Sequence, residues 1–534
     1  MPKRQKRKES KNTLLSKQIS KKQRSEKKGS LINLLEKNDE SGTLALLNSG
    51  NYDITEVYIY DISFSYPDIK NNIWSAIFLA ISHDFLSVVD KLLIKHPELL
   101  NSIDSLGNTP LHLAMHCKRQ KIIERLLKEP EINVNAQNFN GNTPLHEVNL
   151  HELYYQDYTQ DTTQDTILPK LLSCVKLLIR HNDINVKIKN SEGNTILHMA
   201  VRCHYKIVEL LVNQYYSIPV NAQNNEGKTP LHFSSEKGKY VGNEKCGSKS
   251  TRFLLYHKKI NVNIKDNEGN APFISCNYND YRISDFLRHK HININLKDKD
   301  GKTLLMHLSN SPCNKSLPYS WSNLQRCLHH PDIDIHAKDK HGNTALHYAT
   351  LKSLKILLND SRFNVNIKNN DGESPLFFLM NYSWEDSHRY GDYKKERQEI
   401  FELFLQHPKI DVNTKDNCGE TLFEHILFRY IGENHWDLII TKLLEHPNIN
   451  VNLSGRRYTP LELACRLINI TAIKCLLKHP ELDIDFKDSE GETALSRIIR
   501  RDKKYRELSN ECINLLKEAT TKNPFYKFFN WIPW

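Results

Sequence analysis

The sequence predicts an all-α protein made of stacked helix pairs, and two features of the sequence lead to this fold class. The first is a nonapeptide, GNTPLHLAM at residues 107–115, which returns with variations along most of the 534-residue chain. The second is a segment of constant length that precedes each copy, although the distance between copies varies. Self-similarity at a period of about 20 to 50 residues is typical of solenoids, in which each unit packs only on its neighbours.

The threonine of the nonapeptide marks each copy of the repeat. Ser75 and Ser374 take its place in two copies, and Ala271 marks a degenerate one. From Ser75 onward the marked positions lie 30 to 52 residues apart, and the commonest interval is 34 residues. The threonines are Thr109, Thr143, Thr195, Thr229, Thr303, Thr344, Thr421, Thr459 and Thr493.

An asparagine eight residues before the threonine is a second marker, and it ends a segment such as HPELLN or HPKIDVN. Lys187, His336 and Asp485 stand at this position in other copies, and Asn452 lies one residue closer to its threonine. The asparagines at the common spacing are Asn101, Asn135, Asn221, Asn263, Asn295, Asn366 and Asn413. The variation in length therefore falls after the threonine, where insertions are expected to be surface loops.

Each unit is predicted to contain a turn, a helix, a short turn and a second helix. In T-P-L-H the threonine is a natural N-cap, and the proline suits the first helical position because its missing N–H leaves no bond unmade. Thr421 and Thr459 are followed three residues later by glutamate, which is capping-box spacing. A second apolar-periodic stretch, as at 122–127, ends at His-Pro or a similar breaker. The Asn-Gly and Glu-Gly pairs ahead of the threonine favour tight turns.

These motifs resemble the ankyrin repeat. The resemblance rests on G-x-T-P-L-H-x-A, on the Leu-Leu before the connection and on the Val-Asn before the next turn, and it covers about twelve copies across 72–518. It implies an all-α ankyrin-repeat solenoid of stacked helix pairs with short β-hairpin turns, in one continuous right-handed array. Residues 30–71 are predicted to form a divergent capping helix pair with a connector, 1–29 a basic disordered tail and 519–534 an aromatic C-terminal segment. Local distortion is expected across 258–310, where the motif has drifted.

The sequence contains no catalytic motif and no metal-binding spacing: H-E-x-x-H, G-x-x-x-x-G-K, G-x-S-x-G and C-x-x-C are all absent. We therefore predict a non-enzymatic protein with no cofactor and no metal site. Five histidines follow their threonine by three residues, where a helix-end hydrogen bond is the structural interpretation and metal or proton chemistry is the alternative. These are His112, His146, His198, His232 and His347. The eleven cysteines are predicted to be free thiols of a reducing compartment, with Cys418 exposed in a hairpin turn.

The leading functional hypothesis is a monomeric protein–protein interaction scaffold that presents a rigid surface to a protein partner. Four insertions between the helices of a unit are candidate contact loops, because Tyr, Trp and Arg are favoured interface anchors. The insertions are 151–166, 235–252, 310–323 and 381–399, and the candidate contacts are Tyr154, Tyr155, Tyr158, Trp384, Arg389 and Tyr390. Tolerated variation of loop length is the alternative interpretation. An enzyme whose site is assembled on these insertions is a competing hypothesis.

The net charge of +11 belongs almost entirely to the N-terminal tail. Residues 1–28 hold twelve Lys or Arg against two Glu, so the remaining 62 basic and 61 acidic residues nearly cancel. Two basic clusters of the tail resemble a two-part nuclear import signal: Lys3, Arg4, Lys6, Arg7 and Lys8, then Lys21, Lys22 and Arg24. The same charges suit nucleic acid or an acidic lipid surface, and such binding through the tail is the alternative function.

The sequence predicts a protein of the cytoplasm or the nucleus. No apolar run approaches the ~20 residues of a membrane helix, and the N-terminus lacks the apolar core of a signal peptide. A composition rich in Lys, Asn and Ile favours a further hypothesis, namely an effector of an intracellular bacterium that is secreted into a host cell without a cleavable signal peptide. Residues 525–534 hold six aromatic side chains, which either cap the last repeat or dock on a partner or a membrane surface.

Overall fold

The computed structural model consists of helix pairs, which confirms the predicted all-α fold class. The residues it describes are 30–52, 60–61, 73–74, 76–148, 164–214, 218–235, 244–276, 282–311, 319–381, 393–429, 435–456, 458–487, 491–500 and 506–522. The chain divides into two compact units, one up to Asn267 and one from Glu268 onward. This boundary falls inside the region where distortion is expected. The predicted division into a capping pair and twelve repeats stays a prediction.

The first unit contains eleven described helices and one pair of short strands. The helices are α1 (Leu31–Glu36), α2 (Glu40–Ser49), α3 (Ala76–Ser82), α4 (Leu86–Lys95), α5 (Pro110–His116), α6 (Gln120–Leu126), α7 (Gln164–Ile179), α8 (Ile196–Cys203), α9 (Tyr205–Gln214), α10 (Pro230–Ser235) and α11 (Glu244–Leu255). Two 3-10 helices, Pro97–Asn101 and Pro144–His146, lie between them. The strands β1 (Tyr60–Asp61) and β2 (Ile73–Trp74) pair antiparallel, with Tyr60 opposite Trp74.

The second unit contains twelve described helices. They are α12 (Arg282–Leu287), α13 (Leu304–Ser309), α14 (Tyr319–Leu328), α15 (Leu351–Leu358), α16 (Pro375–Asn381), α17 (Tyr393–Leu405), α18 (Leu422–Arg429), α19 (His435–Leu444), α20 (Pro460–Arg466), α21 (Ile470–Leu476), α22 (Ala494–Arg500) and α23 (Arg506–Lys522). The hairpin turns are too short to count as strands in the described part of this unit, where a single bridge joins Lys415 and Thr421.

Helices at the same position in successive pairs pack on each other within each unit. In the first unit α3 packs against α5 and α4 against α6, and in the second α18 packs against α20 and α19 against α21. The nonapeptide leucine lies at this interface, and Leu111 and Leu197 are completely buried. A single helix pair would leave this apolar face in water, so each unit builds its core from the stacking of neighbouring pairs.

A residue in the left-handed conformation separates the two helices of several pairs. Asn38, Asp84 and Lys118 have φ between 58° and 65°. Asn and Asp tolerate this region because their short side chains can form local hydrogen bonds. Ile468 has φ 56° at the same place between α20 and α21, where a β-branched side chain is strained. The tight turn between the two helices of these pairs therefore has a left-handed residue that is not glycine.

The four predicted insertions are shorter than the sequence suggested, because the second helix of each pair begins inside them. Helix α7 begins at Gln164, α11 at Glu244, α14 at Tyr319 and α17 at Tyr393. The first turns of these helices are mostly polar, so apolar periodicity does not reveal them. The remaining insertion residues, 151–163, 236–243, 312–318 and 382–392, lie outside the described residues.

Some copies of the nonapeptide do not complete an α-helix. Residues 272–274 and 345–348 are turns, and Pro144–His146 is a single 3-10 turn. At the first of these, Ala271 stands in place of the threonine and supplies no N-cap side chain, whereas the other two copies keep Thr143 and Thr344. The local distortion expected across 258–310 is therefore confirmed at this copy.

Replacing Met306 with histidine should stabilise the second unit. Thr303 is the N-cap of α13, and its buried Oγ1 makes no hydrogen bond within the described residues. Met306 stands three residues later, where five other copies carry a histidine that bonds the threonine backbone. The gain should be about 1 kcal/mol, as for other N-cap interactions, and it should raise the midpoint of thermal unfolding. Met306→Ala is the control, because it opens a cavity and should lower the midpoint. A histidine variant no more stable than the alanine variant would contradict this assignment.

Candidate functional site

The histidine of the nonapeptide bonds the backbone of the threonine that begins its helix. In the five copies with histidine, Nδ1 accepts a hydrogen bond from the threonine N–H at 3.0 to 3.2 Å. In two further copies a carboxylate does the same: Thr421 N–H donates to Glu424 and Thr459 N–H to Glu462, each at 2.9 Å. The predicted helix-end hydrogen bond and the predicted capping boxes are therefore confirmed.

The second ring nitrogen of four of these histidines, His112, His146, His198 and His347, reaches the next repeat. His112 Nε2 donates to the carbonyl of Asn142 at 2.9 Å, and His198 Nε2 donates to the carbonyl of Lys228 at 3.0 Å. His347 makes the equivalent bond in the second unit. Each ring accepts at Nδ1 and donates at Nε2, which requires the neutral Nε2–H tautomer. Both nitrogens are occupied, so these rings offer no lone pair to a metal ion.

Burial keeps these imidazoles uncharged. Desolvation lowers the pKa of His112 and His146 below the usual value and lowers the pKa of His198 and His347 to about 4. All four rings are at most 3% exposed. A protonated ring would have to donate at Nδ1 and would lose the bond from the threonine N–H, so the device works only with a neutral ring.

A second row of histidines closes the turn after the second helix of many pairs. Nδ1 of each accepts a hydrogen bond from the backbone N–H two residues later, at 3.2 to 3.3 Å. The row consists of His181, His257, His289, His330, His407, His446 and His479. The sequence predicts only a helix breaker at this position. The signal for its role was the recurrence of histidine itself at the end of the second apolar stretch.

The marker asparagine joins each repeat to the next by two hydrogen bonds. In the first unit Asn101 Nδ2 donates to the carbonyl of Glu131 at 2.8 Å, and its Oδ1 accepts from the N–H of Asn133 at 3.0 Å. The same pair of bonds is made by Asn135, Asn221, Asn295, Asn366, Asn413 and Asn452. A carboxamide can donate and accept at once, which a carboxylate or an amine cannot. The asparagine is therefore a clamp between repeats.

The hairpin tips between this asparagine and the threonine are bonded to one another through their backbones. Asn225 N–H donates to the carbonyl of Glu192 at 3.0 Å in the first unit, and Lys340 N–H donates to the carbonyl of Asp300 at 3.1 Å in the second. Within each unit such bonds hold successive tips in register. The side chains of the tips are therefore presented to solvent on a rigid support.

Two adjacent tips carry large apolar side chains that are exposed to solvent. Ile103 lies six residues before its threonine and is 59% exposed, whereas the other described repeats have Gln or Lys there, except for the half-buried Leu453. Leu106 lies three residues before the same threonine and is 49% exposed, whereas most other repeats have Asp, Glu or Asn. Phe139, in the adjacent tip, lies four residues before its threonine and is 70% exposed. Its described counterparts are Ser105, Ser191, Asn225, Asn267, Lys299, Lys340, Asn370, Asn417 and Gly455. We call Ile103, Leu106 and Phe139 the apolar tip cluster.

The ring of Phe139 is fixed against the backbone of the neighbouring tip. Phe139 N–H donates to the carbonyl of Leu106 at 3.0 Å. Gly107 has φ 78°, and a Cβ placed there would come within 2.8 Å of the Phe139 ring. Glycine is therefore needed at 107 both for its backbone conformation and for the close approach of the ring. The result is a pre-ordered aromatic side chain that leaves most of its surface in solvent.

The site residues that the sequence analysis proposed are not tested by this geometry. The candidate contacts on the insertions, Tyr154, Tyr155, Tyr158, Trp384, Arg389 and Tyr390, lie outside the described residues. The candidate import signal in residues 3–24 lies outside them as well. The apolar tip cluster was missed, although comparison of equivalent tip positions in the aligned repeats would have shown it.

The described residues offer no assembled chemical site. In the described ranges no group of three or more His, Cys, Asp or Glu lies close enough to hold a metal ion. The nine described cysteines are free thiols, and Cys418 is exposed in its tip as predicted. Burial raises the pKa of the Cys174 thiol to about 11, which makes it a poor nucleophile. No helix among these residues is long and apolar enough to cross a membrane.

Comparison with known families gives this architecture its name. A family model for three copies of the ankyrin repeat matches residues 43–138 and 169–266, and a model for a single ankyrin repeat matches residues 341–370. The chain carries ankyrin repeats. In the first unit the matched ranges include the histidine caps at His112, His198 and His232 and the marker asparagines Asn101, Asn135 and Asn221, so the repeats that the resemblance predicted are confirmed there.

Relatives of the ankyrin repeats match over limited spans. The nuclear factor NF-kappa-B p105 subunit of Gallus gallus is 31% identical over 168 residues, which are 30% of this chain. The I-Kappa-B like protein G2 of Microplitis demolitor bracovirus (isolate Webb) is 50% identical over 38 residues, or 7% of this chain. The chain spans only 15% and 23% of the length of these two relatives. The crystal structure of the ankyrin repeat domain of Bcl-3 is 20% identical, with a TM-score of 0.35, and the alignment covers 48% of this chain and 97% of that one.

Proposed function

We propose that the protein is a non-enzymatic scaffold that binds a protein partner on the apolar tip cluster of its ankyrin repeats. The observation that carries the proposal is the replacement of polar by apolar side chains at three exposed positions in two adjacent tips. An apolar side chain that stays in water adds nothing to folding, so the replacement has no structural reason. Exposed apolar surface that is contiguous marks interaction sites.

The cluster suits an apolar segment of a partner protein that crosses both tips. Because the ring of Phe139 already rests on Gly107, its binding requires little additional ordering. Full burial of one such side chain contributes roughly 1.5–3 kcal/mol. Together, Phe139, Leu106 and Ile103 have the composition of the small central patch that dominates many interfaces.

Replacing Phe139 with serine should reduce partner capture at least tenfold without lowering stability. The ring is mostly in solvent, so its loss costs the fold little, whereas the interface loses its anchor. Wild-type and variant proteins would be immobilised, exposed to the same cell lysate, and the specifically retained proteins quantified. A tenfold loss corresponds to about 1.4 kcal/mol of binding free energy, less than the full burial of a phenylalanine contributes.

Tyr256→Ser is the matched control for this experiment. Tyr256 is 83% exposed in the same unit, but it follows the second helix of its pair and is not part of a tip. Its removal should leave capture unchanged. Equal capture by the Phe139 variant and the wild-type protein would refute the tip cluster as the binding surface, even if the protein proved to be a scaffold.

The basic tail is proposed to deliver this scaffold to the nucleus. Residues 1–28 hold nearly all the net charge and precede the first helix pair, so an acidic import receptor can read them without disturbing the repeats. Two clusters on one tether favour a two-site receptor groove, because binding of the first raises the effective concentration of the second.

Neutralising the two basic clusters should abolish nuclear accumulation of a fluorescent fusion. The eight changes are Lys3, Arg4, Lys6, Arg7, Lys8, Lys21, Lys22 and Arg24 to alanine, and the location would be imaged in eukaryotic cells. At 62.3 kDa plus the fluorophore, passive import is slow, so the wild-type signal reports active import. The control changes four tail lysines outside the clusters, Lys11, Lys17, Lys27 and Lys28, and should still accumulate. If the variant with all eight changes accumulates in the nucleus as strongly as the wild-type protein, the two clusters are not an import signal.

Nucleic-acid binding through the same tail is the second candidate function, favoured by its concentrated positive charge. It predicts binding that falls steeply with salt and disappears when residues 1–28 are removed. The partner contacts on the insertions, an enzyme site assembled there and secretion into a host cell stay predictions, because no described residue bears on them.

A further inference from the structure

The last described repeat leaves one apolar face open that every comparable repeat buries. The residue six positions after the nonapeptide threonine is almost completely buried in the repeats where it is described with an apolar side chain. Its exposure is 0% at Met115, 2% at Val201, 0% at Leu427 and 2% at Cys465. The equivalent residue of the last repeat, Ile499, is 54% exposed.

Neighbouring positions show the same contrast. Ser496, three residues after Thr493, is exposed, whereas Glu462 at the equivalent position is 2% exposed. Leu495 is half-buried, whereas the equivalent Leu461 is 3% exposed. Phe486, which follows the marker position of the last repeat, is 37% exposed. The corresponding residues of the preceding repeats are buried or half-buried.

The open surface is the stacking face of the repeat. Helix α20 packs against α22, and this packing covers Leu461 and Cys465 of the preceding repeat. Helix α22 presents Leu495 and Ile499 in the same register, and both are more exposed than Leu461 and Cys465. Phe486, Leu495 and Ile499 therefore form what we call the open end face. A solenoid needs such a face covered, because it is as apolar as the interior.

We propose that the aromatic segment of this same chain, residues 524–534, folds back onto the open end face and takes the place of the next repeat. The segment PFYKFFNWIPW contains six aromatic residues and one isoleucine but only one charged residue, Lys527. Its chemistry matches a face built from Phe, Leu and Ile. The two prolines, Pro524 and Pro533, disfavour a regular helix and favour an extended segment laid across the face.

The place where the aromatic segment leaves the fold and the length of the segment both allow it to cover the open end face. The segment follows α23, which ends at Lys522 and packs against both α21 and α22. Eleven extended residues span about 36 Å, at roughly 3.3 Å per residue. A helix with its side chains is about 10–12 Å across, so the segment can cross the helix pair of the last repeat. A second copy of the chain or another protein would have to compete with a cover that is already tethered beside the face.

The test is hydrogen–deuterium exchange of the full-length protein with Ile499→Arg as the variant. In the wild-type protein the amides of residues 525–534 should exchange at least tenfold more slowly than in the variant, because an arginine in the face expels the segment. Ile499 is exposed in the described residues, so the variant retains its fold. Ile94→Arg is the control, since Ile94 is 65% exposed on α4 of the other unit, and its segment should remain protected.

A second variant tests the segment from the other side. Replacing Phe525, Phe528, Phe529 and Trp531 with serine should speed exchange in α22 and α23 at least tenfold and leave the first unit unchanged. Sedimentation of the wild-type protein should give the mass of one chain at all concentrations. Free exchange of 525–534 in the wild-type protein overturns the proposal. So does a concentration-dependent dimer that Ile499→Arg abolishes, because the occupant is then a second copy.

Discussion

At pH 5 each unit of the protein should be about 2 kcal/mol less stable than at pH 7. Part of the loss comes from the buried nonapeptide histidines, of which His198 lies in the first unit and His347 in the second, and His204 of the first unit adds to it because burial lowers its pKa to about 4 as well. Burial lowers the pKa of both imidazoles to about 4, against 6.5 for an ordinary histidine. His112 and His146 act in the same direction in the first unit, because burial lowers the pKa of these rings too.

The sign of the pH effect on stability follows from which state of the protein, folded or unfolded, binds the proton. Between pH 6.5 and pH 4 these histidines are protonated in the unfolded chain but neutral in the folded protein, so protons favour unfolding. The stabilising effect of the neutral rings is fully present above pH 6.5 and is lost as the pH falls toward 4. Glu424 opposes this trend, since burial raises the pKa of its carboxyl, so the folded state takes up that proton more readily. Glu424 is a single opposing group in the second unit, where His347 acts against it. His198 acts in the first unit.

The measurement is urea unfolding at pH 7, 6 and 5 of the wild-type protein and of a His198→Gln, His347→Gln double variant. A glutamine amide can still accept from the threonine N–H and donate to the next repeat, but it does not titrate. The double variant should therefore lose about 2 kcal/mol less stability per unit than wild type between pH 7 and pH 5, and His112, His146 and His204 account for loss that remains in the first unit. If both proteins lose the same amount, the buried histidines are not the source of the acid sensitivity.

The helix pairs could be predicted from the sequence because their signals are local. A threonine N-cap, a proline at the first helical position and a glutamate three residues on all act within one turn of chain, and Thr459 with Glu462 forms the box that this spacing predicts. The degenerate copy at Ala271 was equally visible, because a missing cap is also a local signal. The beginnings of α7, α11, α14 and α17 were not visible, because polar first turns carry no apolar period.

The contacts between repeats could not be predicted, because they join residues far apart in sequence. Asn135 bonds Asp183, which lies 48 residues further along the chain. The constant spacing of the marker asparagine indicated that its position mattered, but spacing alone does not distinguish a turn residue from a clamp. The second nitrogen of each histidine was missed for the same reason, since its partner belongs to the next repeat.

The apolar tip cluster was not predicted, because its residues differ from the repeat pattern at these positions. Most exposed tip residues are polar and support the ladder of tips, so the repeat pattern predicts polar residues throughout. Ile103, Leu106 and Phe139 break that pattern without breaking the fold, and a repeat search that looks for similarity passes over them. In this repeat array, a residue that differs from the repeat pattern at a solvent-exposed position indicates function. A residue that differs at a buried position, such as Met306, affects stability.

Replacing Leu111 with alanine should remove about 2–5 kcal/mol of stability from the first unit. Leu111 is completely buried in α5, which packs against α3 of the preceding pair. The substitution removes apolar contacts from that interface and leaves a cavity, and the rigid helix stack relaxes only partly. In a solenoid the loss is felt at the interface with the neighbouring repeat, so unfolding of the first unit should become less cooperative.

Thr109→Ala in the same helix separates packing from capping. It removes the Oγ1 that lies 2.8 Å from His112 Nδ1, but the bond from the Thr109 N–H to that ring remains possible, so the cost should be about 1 kcal/mol. Ile94→Ala is the volume control, because Ile94 is 65% exposed and its truncation should change stability by less than about 0.5 kcal/mol. Denaturant unfolding of the three variants should therefore rank Leu111 well above Thr109 and Thr109 above Ile94. A threonine variant less stable than the leucine variant would mean that the cap, and not the packing of helix on helix, holds successive repeats together.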